Sequence, residues 1–142
     1  TDHPVQARLV HAHRLQKLLA FGVVKLTDFG IAHLDEPAAM AERVAGRHAS
    51  EIQIVDVREA AEFADTDALG RIAGARLVPL SELGARLDEI DRTRPVVTVC
   101  RSGARSAQAV VMLQKAGFGE VANLAGGMLR WRADGLPVDG PR

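Results

Sequence analysis

The chain has 142 residues, which fits one domain of ordinary size. Its 47% hydrophobic and 25% charged residues match average globular composition, which excludes disordered, collagen-like and coiled-coil proteins. Lysine plus arginine and aspartate plus glutamate both total 18, so the net charge of zero gives no general attraction to nucleic acid or to an anionic membrane.

Location and cofactors follow from what the sequence lacks. No apolar run reaches the roughly 18 residues of a membrane span, and the first residues do not have the basic-then-apolar layout of a secretion signal. We therefore expect a cytoplasmic protein with no membrane partner and no nucleic-acid partner. His11 and His13 are two positions apart, which on a helix points them in different directions, so we expect neither a metal site nor a cofactor.

The first part of the chain predicts two helices separated by short extended segments. Apolar residues at spacings of three and four predict a helix over residues 4–20. Residues 23–34 predict short extended pieces around a turn at 28–30. Asp35 as a cap, with a proline in the first turn, predicts a second helix over residues 35–46.

The rest of the chain alternates short apolar strands with helices. We predict strands at residues 52–57, 75–79, 96–99 and 121–124, and helices at 58–64, 81–90, 106–116 and 128–134. Ser81 opens one of these helices. Alternation with short links predicts an α/β fold, in which a doubly wound parallel sheet carries helices on both faces, with the N-terminal helix as an addition.

Cys100, the only cysteine, directly follows the strand at 96–99. Ligands of parallel α/β sheets bind at this edge. The N–H groups of a glycine-containing loop, the positive end of the next helix, and Arg101 and Arg105 all favour a thiolate. Cys100 is thus a predicted nucleophile with a lowered pKa. The alternative, a small buried packing residue, is disfavoured by the Arg-Ser-Gly-Ala-Arg-Ser segment that follows.

Several motifs occur in a familiar order. They are residues 54–59 (IVDVRE), 70–75 (GRIAGA), 97–106 (VTVCRSGARS) and 124–127 (LAGG), followed by Trp131 and residues 135–138 (GLPV). Together they resemble single-domain rhodaneses, a family of sulfurtransferases. The similarity implies a rhodanese-like domain at residues 29–142, after an N-terminal helical extension or linker at residues 1–28.

The resemblance also implies a mechanism. Cys100 would take the outer sulfur of thiosulfate or a related small donor, hold it as a persulfide, and pass it to cyanide or to an external thiol. That thiol would be a thioredoxin-like protein or a low-molecular-weight thiol. Loop N–H groups and arginines are suited to such anionic sulfur species. The implied substrate-binding residues of this loop are Arg101, Ser102, Gly103, Ala104, Arg105 and Ser106.

The sequence leaves several alternatives to this mechanism open and gives arguments for choosing among them. The chain could be a persulfide carrier or a regulatory module without strong thiosulfate activity. Related phosphatases and arsenate reductases place five residues between cysteine and arginine, whereas four separate Cys100 from Arg105, so the tighter loop favours sulfur. With no second cysteine, an internal disulfide cannot release the persulfide, and an outside nucleophile must accept the sulfur. Ser106 either donates a hydrogen bond in the site or only caps the helix.

Residues outside the loop have more ordinary interpretations. Arg71, where family members often carry histidine, either adds positive charge at the mouth of the site or is a solvated loop residue. Asp56 and Arg58 end a buried strand, so we expect structural hydrogen bonds and ion pairs there. Glu62 is four residues beyond Arg58 and could pair with it on a helix. Trp131 is expected to pack a helix on the sheet, or else to wall the pocket.

Overall fold

The computed structural model describes residues 16–19, 21, 24–26, 31–46, 49–64 and 69–139. Most of the helix predicted at residues 4–20, both early histidines and the turn predicted at 28–30 lie outside these ranges. No helix in the described ranges is long and apolar enough to cross a bilayer.

Strands and helices alternate along the chain, as predicted. The strands are β1 (Val24–Leu26), β2 (Ala32–Leu34), β3 (Gln53–Asp56), β4 (Arg76–Leu77), β5 (Val96–Val99) and β6 (Val121–Leu124). The helices are α1 (Gln16–Leu19), α2 (Pro37–Ala45), α3 (Ala60–Phe63), α4 (Leu80–Leu83), α5 (Ala104–Lys115) and α6 (Gly127–Ala133). Two 3₁₀ turns occupy Ala49–Glu51 and Leu87–Glu89.

The strands form one six-stranded sheet in the order β1-β2-β6-β5-β3-β4. Only the β1–β2 pair is antiparallel, and the other neighbours are parallel. All four residues of β5 and of β6 are buried, as expected for central strands covered on both faces. The predicted α/β fold with a mostly parallel sheet is therefore confirmed. The end of β5 lies near the middle of the carboxyl edge of this sheet.

Apolar side chains cover both faces of the sheet. On one face, side chains of α2 and α6 such as Met40 and Trp131 pack against Val97 and its neighbours. On the other face, Leu83 of α4 and Leu113 of α5 pack against the remaining strand residues. Trp131 is 1% exposed within this core and therefore packs α6 on the sheet, while its indole Nε1–H donates to the carbonyl of Pro137 at 2.8 Å.

Part of the segment predicted as an N-terminal extension packs on the domain. Its residues Leu18 and Phe21 are buried in the core face that α2 and α6 cover. The carboxylate of Glu120 accepts hydrogen bonds from the N–H groups of Lys17 at 2.9 Å and Leu18 at 3.4 Å. With β1 in the sheet as well, the described residues before position 29 contribute to the same folded unit.

Three predicted helix starts or lengths were wrong. Glu36, and not Asp35, occupies the cap position of α2, because the Asp35 carboxylate binds Lys25 at 2.6 Å and also Arg130. The helix predicted over 81–90 begins one residue earlier, after Pro79, and ends at Leu83. A separate 3₁₀ turn follows it, because the backbone turns out of the helical conformation in between.

Candidate active site

The loop between β5 and α5 bends sharply at Gly103, where φ is +108°. Only glycine adopts this conformation at low cost, and it lets α5 begin at Ala104 directly after the turn. The predicted start at Ser106 was therefore wrong. Ser106 lies in the first turn of α5 and is buried, so it is not the helix cap.

Cys100 lies under this loop with only 1% of its surface exposed. Its Sγ atom accepts hydrogen bonds from the N–H groups of Gly103 at 3.1 Å and Ser106 at 3.3 Å, and the Ser106 Oγ atom lies 3.2 Å away. Burial by itself raises the pKa of the Cys100 thiol. The hydrogen bonds from the Ser106 hydroxyl and from the loop N–H groups outweigh it and hold that pKa below its ordinary value. The loop therefore stabilises the thiolate form of Cys100 relative to that of an ordinary cysteine.

Helix α6 fixes the other side of the loop. The N–H groups of Met128 and Leu129 donate to the carbonyls of Cys100 at 2.9 Å and Arg101 at 3.0 Å. Gly127 makes this approach possible, since its φ is +58° and an added Cβ would lie 2.4 Å from the Cys100 carbonyl oxygen. The loop therefore directs these carbonyls to α6 and its N–H groups to the thiol.

Arg105 is held by α3. Its two terminal nitrogens donate to the two carboxylate oxygens of Glu62 at 2.6 and 2.9 Å. The Arg105 hydrogen bonds, against the opposing effect of burial, lower the pKa of Glu62 to about 2. Glu62 thus binds Arg105, and the charge of Arg58 also contributes to its lowered pKa. The hydrogen bonds around Sγ are the main effects that lower the thiol pKa, and Cys100 also attracts the charge of Arg105.

Three residues of the predicted set surround the loop with their side chains exposed, namely Arg101, Ser102 and Ala104. Arg71 is half-buried, and its guanidinium lies 5.2 Å from the centre of the Phe63 ring and donates to the Phe63 carbonyl at 3.1 Å. Its backbone bridges to Asp139. Because Phe63 and Glu62 are neighbours on α3, this helix holds both Arg71 and Arg105.

A row of polar residues under the loop was not predicted as part of the site. The strand register aligns Thr98, Asn123 and His33 on β5, β6 and β2. The Thr98 hydroxyl donates to the Ser106 carbonyl at 2.8 Å, the Ser106 hydroxyl donates to Asn123 Oδ1, and Asn123 Nδ2 lies 2.9 Å from His33 Nδ1. A polar residue inside each otherwise apolar strand was the available signal, since buried polar groups need partners.

The structural role predicted for Asp56 and Arg58 agrees with the geometry. Both side chains are buried, at 1% and 0% exposure. The Arg58 Nε and Nη2 atoms donate to both Asp56 oxygens at 2.8 to 3.1 Å, and Nη2 also donates to the Gly70 carbonyl at 2.8 Å. The pair therefore ties the end of β3 to the loop that carries Arg71.

Comparisons with known proteins agree with this architecture. The family model described as the rhodanese-like domain matches residues 40–134. A sulfurtransferase of Allochromatium vinosum is 42% identical over 91 residues, which are 64% of this chain and 81% of that protein. An HTH-type transcriptional regulator of Mycobacterium tuberculosis is 37% identical over 122 residues, 80% of this chain and 52% of the regulator. A rhodanese-related protein from Thermoplasma volcanium superposes with a TM-score of 0.63 at 28% identity, covering 74% of this chain and 94% of that one.

Proposed function

This chain belongs to the rhodanese-like domain family, and from that premise we propose that it is a sulfurtransferase that carries sulfane sulfur on Cys100. The observation that carries the proposal is the hydrogen-bonded thiol. Donors from the loop surround Sγ and lower the pKa of Cys100 although the side chain is buried. A packing cysteine needs no such donors, whereas a nucleophile needs the thiolate that they stabilise.

The proposed reaction has two displacement steps. The Cys100 thiolate attacks the outer sulfur of thiosulfate, the bond between the two thiosulfate sulfurs breaks, and sulfite leaves with the electron pair. A persulfide anion remains on Cys100. Cyanide or an external thiolate then attacks the outer sulfur, which leaves as thiocyanate or as the acceptor's persulfide, and the Cys100 thiolate is regenerated. Neither step consumes an oxidant or reductant, so atoms and electrons balance over the cycle.

The loop suits both the donor and the intermediate. The outer persulfide sulfur extends about 2 Å beyond Sγ, toward the first turn of α5. The first N–H groups of a helix have no acceptor within it, and those of Ala104 to Ser106 lie at this point. They can bind a negatively charged sulfur together with the positive end of the helix. Arg101 and Arg105 would hold the sulfonate part of thiosulfate at the mouth of the site.

The acceptor in this proposal comes from outside the chain. Cys100 is the only cysteine, so no second thiol of the same chain can take the sulfur. We propose a low-molecular-weight thiol or a thioredoxin-like protein as acceptor, with cyanide as its small-molecule substitute. A thiol that must return to its reduced form after each cycle fits a reducing compartment, so we place the reaction in the cytoplasm.

The test combines mass measurement with turnover. Incubation with thiosulfate should make the protein heavier by one sulfur atom, and added cyanide should remove that sulfur as thiocyanate. Cys100→Ser should abolish both. Arg105→Met should lower kcat/KM for thiosulfate, whereas Arg86→Met, which removes an arginine with carboxylate partners elsewhere on the surface, should leave it unchanged. Thiocyanate formation by Cys100→Ser at the wild-type rate would falsify the proposal.

A second candidate is a regulatory module that accepts persulfide from a partner enzyme. The observation that favours it is the similarity to the HTH-type regulator, which extends over 80% of this chain against 64% for the sulfurtransferase. This candidate predicts efficient loading of Cys100 by a cysteine desulfurase together with negligible thiosulfate turnover. Reduction of arsenate or hydrolysis of a phosphate ester would support an oxyanion enzyme instead, against which the short loop argues.

A further inference from the structure

A chain of hydrogen bonds leads from the Cys100 thiol to an imidazole near the edge of the sheet. Ser106 Oγ lies 3.2 Å from Sγ, the Ser106 hydroxyl donates to Asn123 Oδ1, and Asn123 Nδ2 lies 2.9 Å from His33 Nδ1. Ser106 is fully buried and Asn123 is 2% exposed, whereas His33 on β2 is half-buried. This series of hydrogen bonds therefore connects the buried Cys100 thiol to His33, a half-buried group that can exchange protons with solvent.

The number of hydrogens in this series of hydrogen bonds restricts which side chains can act as donors. A hydroxyl has one hydrogen to donate, and in the structure Ser106 donates it to Asn123 Oδ1. In that arrangement Ser106 Oγ can only accept from Cys100, which requires a thiol. When Cys100 is a thiolate, its Sγ atom and Asn123 Oδ1 compete for this one hydrogen.

His33 determines which way the amide points. With Nδ2 of Asn123 donating to His33 Nδ1, that ring nitrogen must carry no hydrogen. If Nδ1 is protonated, it needs an acceptor, and the amide of Asn123 must turn by 180° to offer Oδ1. Nδ2 then faces Ser106 and donates to its oxygen. The Ser106 hydrogen is released from the amide and can be donated to the thiolate.

The charged groups around His33 come from three elements. Lys25 on β1 lies beside it in the sheet register, Asp35 follows β2, and Arg130 extends from α6. Lys25 and Arg130 both bind Asp35. Burial lowers the pKa of His33 below its ordinary value, and the attraction of Asp35 partly offsets this. The neutral ring is thus the form expected near neutral pH, and in this form Nδ1 can accept the hydrogen bond from Asn123 Nδ2.

We infer that His33 and Asn123 are positioning residues for Cys100: while the His33 ring is neutral, Asn123 Oδ1 competes with the thiolate for the single Ser106 hydrogen, and protonation of His33 removes that competition. The inference deepens the proposed function, since it rests on Cys100 being the nucleophile. It concerns the reactivity of the thiol and does not depend on which donor supplies the sulfur.

The test measures the rate at which iodoacetamide alkylates Cys100 as a function of pH, which is specific because the chain has no other cysteine. Ser106→Ala removes the donor and should raise the pKa of Cys100 by about half a unit to one unit. Asn123→Leu removes the competing acceptor at similar volume and should lower it by a similar amount. At a pH below the thiol pKa this is a roughly 3- to 10-fold faster alkylation. The double variant should behave like Ser106→Ala alone.

His33 supplies a milder variant and a separate readout. His33→Phe replaces a half-buried ring, so the fold should survive, and it should lower the pKa of Cys100 in the same direction as Asn123→Leu. Lys25→Gln, which changes charge beside His33 but leaves the hydrogen-bond chain intact, should not. By linkage, the thiolate should raise the pKa of His33. An NMR titration of the His33 ring should accordingly show a lower pKa in Cys100→Ser.

Two results would overturn the inference. One is an unchanged or raised Cys100 pKa in both folded variants, His33→Phe and Asn123→Leu. The other is full additivity of Ser106→Ala and Asn123→Leu, because independent effects cannot pass through one hydroxyl. Failure of the proposed function would be seen differently, as alkylation that follows the expected pattern in a protein that thiosulfate does not load.

Discussion

Replacing Arg58 by methionine should destabilise the protein strongly, although Arg58 is outside the proposed reaction. The variant removes three side-chain hydrogen bonds to Asp56 and one to the Gly70 carbonyl. Methionine still packs in the buried space, but it leaves the Asp56 carboxylate at 1% exposure without its counter-ion. Among the residues that the structure describes, only the backbone N–H of position 58, at 3.1 Å, would still donate to it.

The expected loss can be estimated from these contacts. Breaking a buried ion pair by removing one partner typically costs about 3–5 kcal/mol. Because one donor to Asp56 survives, we expect about 3 kcal/mol, which corresponds to a fall in Tm of about 10 °C for a chain of this length. Urea unfolding followed by far-UV circular dichroism measures the free energy directly.

A double-mutant cycle separates the pair from its surroundings. Asp56→Asn in the Arg58→Met background should recover part of the loss, since the unpaired charge disappears. Arg86→Met is the matched control, because Arg86 likewise pairs with carboxylates, those of Glu82 and Glu89, but in a position open to solvent. Its loss should be much smaller. Equal losses in Arg58→Met and Arg86→Met would refute the argument from burial.

Three further predictions concern the surroundings of the site. Gly127→Ala places a methyl group 2.4 Å from a loop carbonyl at a φ of +58°, so it should lose at least about 2 kcal/mol of stability and most sulfur loading. Gly74→Ala is the control, because Gly74 also has a positive φ of +82° but nothing lies within 4 Å of the added methyl group. It should lose about 1 kcal/mol of stability and keep its sulfur loading. The depressed pKa of Glu62 makes its pair with Arg105 stabilising above the ordinary value of 4.5, and this stability is lost as the pH falls toward about 2; acid unfolding of Glu62→Gln should lack that dependence. Trp131→Phe should lose about 1 kcal/mol in urea unfolding, because the indole hydrogen bond to a carbonyl at 2.8 Å is removed.

The regular part of the fold follows from short-range patterns in the sequence. β5 and β6 are apolar throughout and short, which indicates strands buried on both faces. The helix at Pro37 was predictable from its proline and its apolar spacing. The cap assigned to Asp35 was not, because that carboxylate takes two partners from distant parts of the chain, Lys25 and Arg130.

The site shows the same division. The position of Cys100 after a buried strand, and the glycine turn beside it, are local features and were predicted. The partner of Arg105 is Glu62, 43 positions earlier, and no spacing rule indicates such a contact. The row from Ser106 through Asn123 to His33 depends on strand order, since β2 and β6 are neighbours in the sheet but far apart in sequence.

The loop and α5 donate to the thiol while α6 binds the loop carbonyls, and this arrangement affects which residues of the site can change during evolution. Besides the Ser106 hydroxyl, the donors to Sγ are peptide N–H groups, which side-chain substitutions leave in place as long as Gly103 and Gly127 hold the turn. The exposed side chains of Arg101, Ser102 and Ala104 are therefore open to change without loss of the nucleophile. Substitutions at these exposed positions could therefore change which sulfur donor and acceptor the protein uses without changing the surroundings of Cys100.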